Sequence, residues 1–364
     1  MRDLDTPQPP QPSPTLPPLP AFLVWLWGAE QVLARAEVAA VAGLMGATGG
    51  VWPVPGHPAV AVEADPEAWP VLTRLGFARA VLRFLGHSAG LAPPFRPDRV
   101  VRGSFAVRFH SLRASRTSLA PPPAALGHTA PPVTAAALAD HMWRGLRRPR
   151  VDLTHPETEL HVFATPDGFW WGQLLHAFDG RAFATRHPQR RPFWRSVALA
   201  PRKARCLVNL SGVRPGGRLL DPFCGTGSIP LEAALLGVRA YAADLDPTVV
   251  AGAARNVAHL GVEVALCRRD ARAWSAADGR FDAIVSDLPY GRTASLLGSD
   301  RHTLYREFLE VAARILVPHG RAVLMVRAGT LPAPPPRLVV EERFYEVVNA
   351  GLTREVVLLR KTAG

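Results

Sequence analysis

The chain has 364 residues, long for one compact core, so two or three domains are expected. Its formal net charge is +12 and its pI about 10.9, a positive field suited to a polyanion such as nucleic acid, although a genomic bias toward arginine gives the same number, Lys203 and Lys361 being the only lysines. Cys206, Cys224 and Cys267 form no CxxC pair, no His/Cys group has zinc-finger spacing, and no apolar run approaches ~20 residues, so neither a disulfide framework, a metal site nor a membrane span is expected, and the protein is placed in the cytoplasm.

Residues 7 to 20 hold eight prolines in fourteen positions and read as a disordered tail, 1–20. Folding is expected to begin with a strand at Phe22 to Trp27, closed by Gly28, and a helix from Ala29 to Leu44. After Pro94 a strand at Ser104 to His110 and a helix at Ala135 to Leu146 flank a proline-rich loop, Pro121 to Pro132. Two further strands, Glu159 to Ala164 and Phe169 to Leu175, turn on Pro166-Asp167-Gly168. From Arg186 to Arg205 seven residues in twenty are basic and none acidic, interrupted by Pro192-Phe193-Trp194. Guanidinium groups interleaved with aromatics suit phosphate and base contacts, against the blander reading of a solvated linker.

Beyond Gly217 strands and helices alternate. Arg218 to Leu220, Val238 to Ala243, Val262 to Leu266, Phe281 to Ser286 and Arg321 to Val326 read as strands, with helices at Leu231 to Leu236, Val249 to Leu260 and Leu304 to Leu316. That order predicts a mostly parallel α/β sheet with right-handed crossovers. Arg343 to Val348 and Arg354 to Arg360, joined through Gly351, predict a closing antiparallel hairpin.

Three strand ends carry carboxylates beside a glycine loop. Asp221-Pro222-Phe223-Cys224-Gly225-Thr226-Gly227 follows the first strand, where glycines allow close ligand approach at the carboxyl edge of the sheet. It lacks the third glycine of a dinucleotide fingerprint, Pro230 standing there, and it is no P-loop. Asp244, ending the next strand, is placed to accept two ribose hydroxyls, and Asp270, after the third, to meet an adenine amine. Each carboxylate alone could be a cap or turn residue; together they describe an adenosyl-ligand site. The fourth strand ends in Ser286-Asp287-Leu288-Pro289-Tyr290-Gly291, where an acid, a rigid proline and an aromatic suit a planar amine.

In these motifs the chain resembles the THUMP-domain tRNA guanine-N2 methyltransferases, UPF-type RNA methylases of the guanosine-10 branch. The resemblance spans about Ala21 to Leu359 and is most specific in Pro201 to Gly237 and Ser286 to Leu316. Val151 to Val162 looks like the opening strand of a THUMP domain, and Arg190-Arg191-Pro192-Phe193-Trp194 like the family's linker. It implies a class I Rossmann-like S-adenosylmethionine methyltransferase domain at 206–364, preceded by a ferredoxin-like domain at 21–95, a THUMP domain at 96–185 and the basic linker at 186–205. It further implies S-adenosylmethionine as cofactor on Asp221, Pro222, Phe223, Gly225, Gly227, Asp244 and Asp270. The target base goes to Asp287, Leu288, Pro289 and Tyr290, with tRNA as partner of a monomer and N2-methylguanosine or its dimethyl form as product, at position 10 rather than 6. Where the family often has two prolines in the last motif, Leu288 takes the first place and still offers its backbone carbonyl. A ribosomal-RNA or DNA amino-methyltransferase would share both motifs and differ in its N-terminal half; an RNA-binding module with an inactive cofactor site would not keep Asp287, Pro289 and Tyr290 together.

Overall fold

The computed structural model describes residues 20–28, 30–46, 50–111, 133–289 and 300–363. The predicted tail to residue 19, the Pro121 to Pro132 loop and Tyr290 lie outside them.

The chain forms two seven-stranded sheets. The first half contributes β1 (Phe22–Leu26), α1 (Gln31–Leu44), β2 (Val51–Pro53), β3 (Ala59–Val62), β4 (Ala78–Ser88), α2 (Pro97–Val100), β5 (Phe105–His110), α3 (Ala135–Arg144), β6 (Thr158–Thr165), β7 (Gly168–Ala177) and α4 (Gly180–Thr185). Its strand order is β2-β3-β1-β4-β7-β6-β5. The segments 21–95 and 96–185 therefore share one sheet, joined where β4 pairs antiparallel with β7 from Ala80↔Ala177 to Ser88↔Phe169. β2, β3 and β4 were not anticipated: β2 and β3 are three and four residues long, and β4, with 11 residues, does not keep a strict apolar–polar alternation.

The second half comprises α5 (Pro201–Leu210), β8 (Arg218–Asp221), α6 (Ser228–Ala234), β9 (Arg239–Asp244), α7 (Pro247–Leu260), β10 (Val264–Arg268), β11 (Phe281–Asp287), α8 (Arg301–Ile315), β12 (Leu316–Arg327), β13 (Leu338–Asn349) and β14 (Leu352–Lys361). Its order is β10-β9-β8-β11-β12-β14-β13, with β8 through β12 parallel to their neighbours and β14 antiparallel to both β12 and β13. The expected parallel sheet and closing hairpin are both present. Helix starts follow local chemistry: Asp246 caps α7 by accepting the Thr248 N–H at 2.8 Å ahead of Pro247, and Asp300 caps α8 by accepting the Thr303 N–H at 3.0 Å. Residues 201–205, expected to be linker, form the first turn of α5, with Pro201 at its opening position.

One apolar cluster runs through both halves. Phe22, Val24, Val38 and Val41 of the first pack with Cys206, Leu207, Val213 and Leu219 of the second, all less than one-tenth exposed. Each such aliphatic or aromatic burial contributes about 1.5–3 kcal/mol. At its edge lies a buried polar knot: Glu37 on α1 accepts from the Gly76 N–H at 2.7 Å, the Phe77 N–H at 3.0 Å and Asn209 Nδ2 at 2.7 Å, while Arg74 donates to Asn209 Oδ1 at 2.7 Å and to the Val213 carbonyl at 3.0 Å. Burial pushes the Glu37 carboxyl above its ordinary range. Burial also lowers the Arg74 guanidinium to about 10.

Candidate active site

The strand order reverses between β8 and β11, and in an open α/β sheet the ligand crevice lies at that switch, outside the carboxyl ends of the strands. A cavity of about 840 Å³ opens there. Asp221, Pro222, Phe223, Gly225, Asp244, Asp270, Asp287, Leu288 and Pro289 all line it. Of the predicted cofactor residues only Gly227 stands outside the lining; it sits at the start of α6 with φ 88°. Gly225 has φ 52°, so both glycines occupy the left-handed region that side chains rarely adopt.

The carboxylates are held differently. Asp244 Oδ2 accepts the Gly225 N–H and Oδ1 the Asp246 N–H, both at 3.1 Å. Each oxygen keeps a second lone pair for a hydroxyl. Asp221 is 1% exposed. Ser286 Oγ donates to its Oδ1 at 2.6 Å, tying the end of β11 to the glycine loop. Burial pushes its carboxyl up to about 8; the Ser286 and Phe223 hydrogen bonds oppose that rise, and Asp287 and Asp244 add to it. Asp270 faces the cavity with both oxygens engaged by Arg272, Nε to Oδ1 at 3.0 Å and a terminal nitrogen to Oδ2 at 2.6 Å, and those bonds hold its carboxyl below the ordinary range. Asp270 therefore presents itself to the cavity as half of an ion pair and not as a bare carboxylate.

On the acceptor side β11 delivers Asp287 to the rim. The Leu288 N–H donates to the Met325 carbonyl at 2.9 Å, extending the ladder one residue past the strand, while the Leu288 side chain is 1% exposed in the core. Tyr305 Oη donates to the Pro289 carbonyl at 2.9 Å from a fully buried position on α8. Phe223 stands edge-on to Phe308 of the same helix, ring centres 5.2 Å apart. Sequence reasoning missed Ser286, although it directly precedes Asp287, and missed Tyr305, whose only signal was a hydroxyl on an otherwise apolar helix face needing a partner.

The basic segment before α5 forms part of this site. Arg195, Val197, Ala198 and Leu199 line the cavity. Phe193 lies on α7 at Gly252, where a Cβ would come within 2.2 Å of its ring. The expected phosphate contacts are corrected for most of its cations. Arg186 and Arg205 both bind Glu232, at 2.8 and 2.7 Å, the carboxylate being wholly buried. Arg191 donates to Ser228 Oγ at 2.9 Å. Lys203 bridges Glu30 at 2.6 Å and Glu346 at 2.7 Å. Arg202 lies over the rings of Trp27 and Phe183. A buried guanidinium needs a carboxylate or an aromatic face, and these are supplied from within the chain. Arg190 and Arg195 are left exposed.

Among the described residues no group of three or more His, Cys, Asp or Glu side chains is placed to hold a metal ion, and no helix is long and apolar enough to cross a membrane.

Residues 188–333 match the RMKL-like methyltransferase domain family. Over 310 residues the chain is 33% identical to the tRNA (guanine(10)-N2)-dimethyltransferase of Methanothermobacter thermautotrophicus, covering 82% of this chain and 88% of that one. It is also 33% identical over 210 residues to the tRNA (guanine(6)-N2)-methyltransferase of Thermus thermophilus, covering 55% of this chain and 59% of that one. The crystal structure of TrmN from Thermus thermophilus shares the fold, with a TM-score of 0.51 at 24% identity over 93% of this chain and 99% of that one. The chain belongs to the family of tRNA (guanine-N2)-methyltransferases.

Proposed function

We propose that the chain transfers a methyl group from S-adenosylmethionine to the exocyclic N2 amine of a tRNA guanosine, at position 10. The match over 310 residues to a relative named for guanosine 10 carries this reading. The shorter match, to a relative named for guanosine 6, makes that position the alternative product.

The residues present fit the cofactor. A cavity of about 840 Å³ holds the left-handed Gly225, the pre-oriented Asp244, and the Asp270–Arg272 pair on one side and Asp287 on the other. Asp244 takes the ribose hydroxyls, Asp270 with Arg272 the adenine edge, and Asp221, Pro222, Phe223 and Gly225 the remainder, with Gly227 shaping the loop. When bound, the cofactor supplies an electrophilic methyl on a sulfonium. The guanine N2 amine is a weak nucleophile because its lone pair is delocalised into the ring. The Asp287 carboxylate and the Leu288 carbonyl accept its two N–H groups, keep electron density on nitrogen and aim the lone pair, while Tyr290 stacks on the base. Pro289 stiffens the loop and Tyr305 holds its carbonyl.

The N-terminal sheet is assigned as the ferredoxin-like plus THUMP region that anchors folded RNA by shape. Arg144, Arg147, Arg148 and Arg150 support this assignment by their exposure. The test is incubation of the purified chain with unmodified tRNA and S-adenosylmethionine, followed by nucleoside mass spectrometry and mapping of the modified residue. N2-methylated guanosine at position 10 is expected. Modified adenosine, or modification of DNA in preference to tRNA, would overturn the reading.

A further inference from the structure

At the acceptor end of the second sheet two arginines face each other across a strand pair. Arg327 closes β12, and its direct partner on β14 is Arg354. Both line the same cavity as Asp287 and Pro289. Register fixes their level: Asp287 of β11 pairs with Met325 of β12, so Arg327, two residues on, stands beside Pro289 on the face of the sheet that Met325 occupies. Like charges placed directly opposite on neighbouring strands repel. Such a pair is stabilised when an anion lies between the two groups.

The cavity holds further guanidinium groups. On the cofactor side Arg272 is bound to Asp270 at 2.6 Å and Arg195 pairs with Asp246 at 3.4 Å. Arg327 is exposed, and its guanidinium donates to the Gly351 carbonyl at 3.5 Å. Arg354 has Glu346 at 3.9 Å, a carboxylate that also binds Lys203 at 2.7 Å. Arg301, opening α8, lines the cavity as a third guanidinium. Three guanidinium groups, Arg301, Arg327 and Arg354, thus line the cavity on the side where the acceptor loop stands.

We propose that Arg327 and Arg354 form a phosphate subsite, which grips the sugar–phosphate backbone of the nucleotide whose base lies against Asp287 and Pro289. This rests on the reading that the substrate is RNA. From β11 to β14 is two strand spacings, about 10 Å, comparable with the length of one nucleotide from base edge to phosphate. Guanidinium forks match phosphate oxygens in pairs, and a backbone grip of this kind fixes position while leaving sequence unread. A base drawn out of its stack needs such a hold on its own backbone before its amine meets Asp287.

The experiment uses the full chain with Arg327→Ala, Arg354→Ala, the double substitution and Arg327→Lys. It reads S-adenosylmethionine affinity by calorimetry and the affinity for a labelled tRNA transcript across a salt series. Each alanine should weaken tRNA binding about tenfold or more and flatten the plot of log affinity against log salt by roughly 0.7–0.9. Cofactor affinity should stay within about twofold, and Arg327→Lys should keep the slope, since a point charge still releases counterions. A double variant with wild-type tRNA affinity and slope overturns the proposal. So does one that loses cofactor affinity alone, which would assign the pair to the cofactor's carboxylate. Failure of the underlying reading shows separately, as wild-type protein that binds tRNA but yields no methylguanosine; the salt slope still reports on the subsite in that case.

Discussion

Asn256 clasps the backbone of Phe193: its Oδ1 accepts the Phe193 N–H at 3.0 Å and its Nδ2 donates to the Phe193 carbonyl at 2.7 Å. The same Nδ2 donates to the Thr226 carbonyl at 2.9 Å, so one wholly buried amide on α7 joins the arginine-rich segment to the glycine loop. Asn256→Ala strands three backbone groups and should cost about 2–4 kcal/mol of stability. Cofactor affinity should fall with it, because Arg195 to Leu199 lose their seat on the cavity. Denaturant unfolding and calorimetry read the two effects, and a variant as stable as the parent would remove Asn256 from this role.

Tyr305→Phe deletes one hydroxyl and keeps the buried ring. The Pro289 carbonyl then loses its donor, at a stability cost of about 1 kcal/mol. Methylation at saturating tRNA and cofactor should slow by about tenfold as the acceptor loop loosens, because small misplacements of reacting groups are expensive. Cofactor affinity should hold. Single-turnover rates set beside binding constants make the separation, and equal losses in both would show that Tyr305 supports the whole site and not the acceptor loop.

Asp221 predicts a pH dependence. Its carboxyl, ordinarily near 3.8, is raised to about 8 in the folded chain. The folded state therefore keeps a proton that the unfolded chain sheds, so the stabilising contribution is complete below pH 3.8 and is lost as pH rises to about 8. Asp221→Asn should flatten that slope in thermal unfolding. A cationic sulfonium favours the ionised carboxylate, so S-adenosylmethionine should bind more tightly as pH rises toward 8, by up to about tenfold per pH unit. S-adenosylhomocysteine, whose sulfur carries no charge, should lack this increment. Parallel titrations of the two ligands decide the matter, and identical pH profiles would count against an ionising Asp221.

Glu232 is wholly buried with Arg186 and Arg205 against it. Glu232→Ala leaves two guanidinium groups without their carboxylate in a dry site and should cost about 3–5 kcal/mol, measured by denaturant unfolding. Glu232→Gln, which retains hydrogen-bond acceptance, should cost less. A near-neutral alanine variant would mean that water reaches the site freely.

Much of the catalytic half was legible because its signals are local. Alternation of strand and helix, a glycine loop at one strand end and acids at the next three are each readable within about ten residues, and they do converge on one cavity. What escaped was non-local. Asn256 reads as an ordinary polar residue in a helix, its partner lying 63 positions away. The β4–β7 pairing joins residues about ninety positions apart, with nothing in either strand to name the other. The basic run from Arg186 to Arg205 misled for the same reason: charge density is visible in sequence, whereas Glu232, Glu30 and Glu346, which absorb it, are scattered along the chain. Arg327 and Arg354 meet only through the register of β12 against β14.

The ion pairs and apolar cluster that weld the two halves also decide which molecule must deform. A hinge needs a segment with few buried contacts. Between the two sheets, instead, lie Glu37, Arg74, Asn209 and Lys203, each engaged by partners from a distant part of the chain. The protein therefore offers a fixed mould in place of closing jaws. For a polynucleotide substrate, the work of bringing a stacked base to Asp287 falls on the nucleic acid, and sites already strained, mispaired or loosely stacked will surrender their base at the lowest cost.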